Sequence, residues 1–295
     1  MRSYISTGRL SETLLLLSAI KSYRCNTIDD TDLLTVGLLI NKQAAFDFAL
    51  QCAWIIQNNG FIDFTERGNS ILQDFDGHAI KPHLWKEILY DYVSICRPAW
   101  ANMIPYGRRE AYLFMTNDER RCFNESGLMA GTEEDIVSWW DRLAKLFRGE
   151  HSEELEDVGR LGERLTLKYE EKRTQVVPVW ESVDSNKSGY DILSKKDCDS
   201  KESILIEVKS SFKPLSQAKM IITRNEWDVA SCGYNINRYY FYLWLLGQPN
   251  KLAIVPAKNL VGHIPNEIGG GRWKEVEISF DLFKYEFSHS INECE

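Results

Sequence analysis

The stretch from Gly189 to Lys209 constrains this chain most. It reads Gly189-Tyr190-Asp191-Ile192-Leu193, then a polar segment rich in Lys, Asp and Ser, then Ile204-Leu205-Ile206-Glu207-Val208-Lys209. Two short apolar runs with β-branched residues around a polar turn predict a hairpin. Side chains two apart on a strand share a face, so Glu207 and Lys209 point the same way. Asp191, on the neighbouring strand, can lie beside them. Two carboxylates and an ammonium at one sheet edge cost free energy unless an ion joins them. A divalent cation together with a phosphate answers both charges.

Asp191 followed by Glu207-Val208-Lys209 resembles the D…ExK signature of the PD-(D/E)xK nuclease superfamily. Gly159-Arg160-Leu161-Gly162-Glu163 precedes it, and Ile222-Thr223-Arg224-Asn225-Glu226-Trp227 follows. Together the pieces, over roughly residues 155–285, resemble the domain first described at the C-terminus of the plant protein NO VEIN and found in bacterial restriction and defence proteins. The resemblance implies a restriction-endonuclease-like core of order α-β-β-β-α-β(β) with a mixed central sheet. It implies a Mg²⁺ site, with Mn²⁺ able to substitute, held by Asp191, Glu207, the Val208 carbonyl and Glu163. Lys209 would face the attacking water or the developing charge. Hard oxygen donors of this kind suit Mg²⁺.

The 295 residues carry 35 Lys and Arg against 43 Asp and Glu, a formal charge of −8. Phosphate contacts therefore need local clusters of bases, not a basic average. Part of the acidic excess lies between Asp118 and Asp157 and reads as a solvated face. No apolar run reaches the roughly 18 residues of a spanning helix, so a cytoplasmic location with no membrane partner is expected. Cys25, Cys52, Cys96, Cys122, Cys198, Cys232 and Cys294 form no C-x-x-C. That speaks against a disulfide framework and a zinc ribbon.

Residues 1–76 read as three helices (Leu10–Tyr23, Asp32–Ile40, Lys42–Asn58), a strand at Phe61–Phe64, a turn at Thr65–Gly68 and a continuation at Ser70–Leu72. That order resembles a winged helix. Its third helix would offer Lys42 and Gln43 to DNA, and its wing Arg67. Residues 77–157 read as a helical connector. It has a helix through Leu84–Ile95, an irregular Trp100–Tyr112 segment, and a helix from Thr132 stopped by Gly149. Trp139-Trp140 fits core there, and Arg108-Arg109 and Arg120-Arg121 fit surface.

Residues 158–295 carry the nuclease-like domain. Gly159 and Gly162 let its first helix approach the sheet. Thr223-x-x-Glu226 is a capping box, which accounts for Glu226. Tyr239–Leu246 is apolar on both faces and so reads as a buried strand. Gly269-Gly270-Gly271 reads as a flexible turn, not a phosphate loop. Arg224, Asn225 and Ser210 are candidate DNA contacts. The whole is α+β. The expected activity is that of a metal-dependent DNA endonuclease of a prokaryotic restriction or antiphage system. A homodimer is expected if both strands are cut, and any ATP-driven step would come from a helicase or other defence subunit. The alternative is a non-catalytic DNA- or protein-binding component of such a system.

Overall fold

The computed structural model describes residues 5–25, 27–31, 40–147, 153–265 and 272–287. The helix expected at 32–40 lies almost wholly outside these residues, and so do the Gly149 stop and the glycine run at 269–271. The chain divides into two compact units, Met1–Arg148 and Gly149–Glu295. It is α+β, and no helix among the described residues is long and apolar enough to cross a membrane.

The first unit begins with helix α1 (Thr7–Tyr23), capped by the Ser6 hydroxyl, and α2 (Lys42–Gln51), capped by Asn41. Strands β1 (Ile55–Asn58) and β2 (Phe61–Phe64) follow as a hairpin, and then α3 (Glu66–Gln73). The helix expected to run to Asn58 thus stops at Gln51. Ala45 and Ala49 are buried, but Ala53 and Ile56 are exposed, so the helical stripe does not extend that far. Asn59 and Gly60 both take positive φ, 51° and 87°, as a two-residue hairpin turn that follows the strand twist requires. Thr65 is not a turn residue but the cap of α3, its hydroxyl accepting from the Gly68 N–H at 3.0 Å. Ser70–Leu72 is helical in consequence. Gly68 packs on the backbone of Trp54, where a Cβ would fall 1.9 Å from the carbonyl oxygen.

Helices α4 (Pro82–Cys96), α5 (Arg108–Phe114), α6 (Asn117–Glu125) and α7 (Glu134–Phe147) complete this unit. The segment expected to be irregular holds a 3-10 turn at Ala99–Tyr106 and α5. Residues read as a separate module and a connector share one apolar core running from Ile5 to Ala144. Trp139 and Trp140 lie in it, and their indole N–H groups donate to the carbonyls of Lys86 and Leu128. Arg108, read as surface, is buried and donates to the Gly131 carbonyl at 2.8 Å. Cys52 and Cys96 share a thiol hydrogen bond at 3.9 Å, and none of the six described cysteines is in a disulfide.

The second unit opens with α8 (Glu153–Thr174), then β3 (Val179–Trp180), α9 (Glu181–Asp184), β4 (Ile192–Lys195) and β5 (Ser203–Ser211). After them come β6 (Lys219–Thr223), α10 (Arg224–Ser231), β7 (Tyr239–Leu245), β8 (Lys251–Pro256) and β9 (Glu275–Ser279). Five strands form one mixed sheet in the order β3-β4-β5-β7-β8, with only β5 and β7 parallel. The crossover between those two passes through β6 and α10. Strand β6 pairs with β9 in a separate small sheet, which the sequence reading did not anticipate.

Both faces of the central sheet are covered. Under α8, the Tyr242 hydroxyl donates to Glu170 and the Trp244 indole to Thr166. On the other face Leu205, Phe241, Leu243 and Val255 pack with Met220, Ile222 and Phe280. Gly162 is where α8 meets β5. A Cβ there would sit 1.8 Å from the Ser210 oxygen and 3.2 Å from Val208 Cγ1. Gly159, expected to share that role, has nothing within 4 Å.

Gly162→Ala should therefore lower stability by about 2 kcal/mol, the usual cost of overpacking. Gly159→Ala should cost nothing of the kind, and thermal melts of the two variants make the comparison. In the first unit, Arg67→Ala leaves the buried Asp91 carboxylate with only the Trp54 indole as donor. A loss of about 2 kcal/mol is expected, read from the urea midpoint.

Candidate active site

Strands β4 and β5 are the predicted hairpin, in the register Ile192↔Ile206 and Leu193↔Leu205. Asp191 sits just before β4 and brackets Glu207. Its backbone N–H donates to the Ile206 carbonyl at 2.9 Å, and its Oδ2 accepts the Val208 N–H at 2.8 Å. Oδ1 accepts no hydrogen bond among the described residues. Gly189 makes this approach possible. It holds φ +71°, and a Cβ would meet Val229 at 2.7 Å. Its carbonyl accepts the Tyr239 hydroxyl at 2.6 Å.

Glu207 and Lys209 share the β5 face covered by β6 and α10. The Lys209 ammonium donates to Glu207 Oε1 at 2.8 Å and to Glu226 Oε1 at 3.1 Å. Glu207 is only 5% exposed, and its other oxygen lies 3.4 Å from the Tyr239 hydroxyl. Glu163 projects from α8, where Oε2 accepts from Arg160 at 2.8 Å, from Ser182 at 2.6 Å and from the Trp180 indole. These three donors fix the position of the carboxylate.

The charges are crowded. Burial, then the nearby Glu163 charge, push the Asp191 carboxyl up to about 8, although Lys209 and the Val208 N–H pull the other way. Burial, Asp191 and Glu226 raise Glu207 well above the ordinary carboxylate range. Burial opposes the Lys209 charge, but Glu207, Glu226 and Asp191 outweigh it, so the ammonium holds its proton more firmly than a free lysine. Lys209 is therefore a fixed positive charge near neutral pH, and not a base.

Four carboxylates (Glu163, Asp191, Glu207 and Glu226) thus face two cations, Lys209 and Arg160. No three His, Cys, Asp or Glu side chains among the described residues are grouped so as to hold a metal ion. A pair of carboxylates with open coordination is how Mg²⁺ is commonly held beside a phosphate. Asp191 and Glu207 supply two oxygen donors of the hard kind that Mg²⁺ takes.

Glu226 is the member that sequence reasoning left to capping. It does cap α10, Oε2 accepting the Thr223 N–H at 2.9 Å, but its second oxygen belongs to Lys209. The Thr223-x-x-Glu226 spacing carried the first role and gave no sign of the second. The candidate DNA contacts are placed less favourably. The Ser210 hydroxyl is buried beneath Gly162. Arg224 pairs with Asp228 at 2.7 Å and lies over the Trp273 ring. Asn225 is exposed and donates to the Lys187 carbonyl. In the first unit, Lys42 donates to the Ile28 carbonyl at 3.1 Å and Gln43 to Asp47 at 2.7 Å. Arg67 is no wing base; its guanidinium grips Asp91 and Glu87.

Compared with known proteins, the chain matches no curated protein and no solved structure. Residues 162–251 match the family model described as Protein NO VEIN, C-terminal, a span that contains Glu163, Asp191, Glu207, Lys209 and Glu226.

Proposed function

We propose that the chain is a metal-dependent DNA endonuclease of the PD-(D/E)xK type, acting in a prokaryotic restriction or antiphage system. The observation that carries this reading is the assembly of Asp191, Glu207 and Lys209 on one strand pair, with both carboxylates raised in proton affinity by burial and by neighbouring acids. The match to the NO VEIN C-terminal model adds to it. In the hydrolysis a water oxygen bonds to phosphorus and one P–O ester bond breaks. The proton given up by the water is balanced by the one the departing oxygen takes up from solvent.

Asp191 and Glu207 hold the Mg²⁺, for which Mn²⁺ can substitute, with the Val208 carbonyl and Glu163 as further oxygen donors. When bound, the ion supplies charge neutralisation and a more acidic water. Lys209 donates to the phosphate oxygen on which negative charge grows. Glu207 and Glu226 fix the Lys209 nitrogen from two sides, so little reorganisation is needed as that charge develops. Arg160, Trp180 and Ser182 hold Glu163 at the same edge. The winged-helix reading of residues 1–76, a homodimer, a separate ATPase subunit and a cytoplasmic location complete the proposal.

Plasmid DNA incubated with the protein and Mg²⁺ should be nicked or linearised. Asp191→Asn or Lys209→Ala should lower the rate by about 100-fold or more. Metal-independent cleavage, or variants that cut as fast as the wild type, would sink the reading. DNA binding without cleavage, equal in wild type and variants, would support the non-catalytic alternative.

A second test needs no activity. Asp191 binds its proton more tightly folded than unfolded, so the folded state carries more protons between about pH 4 and 8. Without divalent ions, stability should therefore be greatest below pH 4 on this account and fall as pH rises toward 8. At pH 8, Mg²⁺ should raise the melting temperature by about 4 °C or more, because it binds only the folded chain. Asp191→Asn should flatten both the pH slope and the Mg²⁺ response. A melting temperature indifferent to Mg²⁺ at every pH would remove the metal site.

A further inference from the structure

A groove of about 750 Å³ opens at the C-terminal ends of β5 and β7. Phe212, Leu245 and Phe287 give it an apolar floor, and Lys213, Lys251 and Lys284 stand around it. Among the described residues no carboxylate lines it. In a chain of net charge −8 this is a local reversal of sign. None of the three lysines makes an ion pair among the described residues. Phe212 is 62% exposed and Tyr285, beside Lys284, is 90% exposed.

The groove lies on the same sheet face as the candidate site. Leu243 is the register partner of Lys209, and Leu245 the partner of Ser211. Leu245 therefore lies two residues beyond Leu243 on one face, about 7 Å farther along the strand. That is roughly two base steps of duplex rise.

We infer that this groove seats an unpaired DNA strand leading away from the cleavage site, with bases on Phe212 and Phe287 and phosphates on the lysines. A duplex hides its base faces and offers only phosphates. An apolar floor with an exposed ring rewards a single strand, whose bases can stack. Lysines on the rim then track the backbone. The strand's destination rests on the nuclease reading; its binding does not.

The test is fluorescence anisotropy of a labelled oligothymidylate, and of a duplex of equal length, in EDTA so that cutting plays no part. The full chain should bind the single strand at least 10-fold more tightly than the duplex. Phe212→Ala should weaken single-strand binding about 10-fold and leave its salt dependence unchanged. Lys213→Glu with Lys251→Glu should weaken it further and reduce the salt slope by about 1.4. All of these side chains are exposed, so the variants should fold, and an unchanged melting temperature checks that.

No single-strand binding, equal binding of duplex, or loss in the lysine variant alone would overturn the inference. An acidic peptide competing as well as DNA would overturn it too, in favour of a protein-docking surface. Should cleavage fail while these binding results hold, the groove stands without the enzyme. Should cleavage succeed while the variants bind normally, the groove falls and the enzyme stands.

Discussion

One ammonium among several carboxylates governs the second unit. Lys209 reaches Glu207 on its own strand and Glu226 on the crossover helix, and Asp191 faces it from the adjoining strand. Removing such charges from water costs several kcal/mol per ion. Lys209 recovers part of that cost and cannot recover all of it, because the carboxylates outnumber the bases. Burial first, and this excess second, raise the proton affinity of Asp191 and Glu207. A sheet edge selected for stability alone would be expected to carry fewer acids.

The scaffold fixes these groups by backbone geometry more than by side-chain packing. Strand register sets Asp191 against Glu207. A left-handed glycine, with a tyrosine hydroxyl on its carbonyl, delivers the chain to that register. On the far face, Gly162 lets α8 lie directly on β5, which brings Glu163 to the same end of the sheet. The first unit shows the same economy with different parts. Asp91 and Glu119 are buried carboxylates, yet each is satisfied by indole and hydroxyl or guanidinium donors. They are structural, and the contrast with Asp191 lies in how fully each is paired.

The hairpin around Asp191 was legible because period-two alternation and a polar turn leave few alternatives. The buried character of β7 was legible for the same reason, since Tyr239–Leu245 is apolar at every position. The first unit misled where two signals competed. Ala45, Ala49, Ala53 and Ile56 carry helical spacing, but Asn59-Gly60 is a hairpin turn, and turn chemistry prevailed. Thr116-x-x-Glu119 is a capping box that the structure uses and the sequence reading passed over. Arg67 and Arg108 looked like surface bases because nothing local names their partners, Asp91 and Gly131, which come from distant segments. The same reason hid the second role of Glu226.

Glu226 divides its two oxygens between a helix cap and the Lys209 ammonium. The opening turn of α10 and the electrostatic setting of the site are thus one structural event. If that turn frays, Lys209 loses one of its two carboxylate partners at the same moment and is held by Glu207 alone. A chain caught half-folded, with its crossover not yet docked, would lack the assembled site, which ties the competence of the site to completion of the fold.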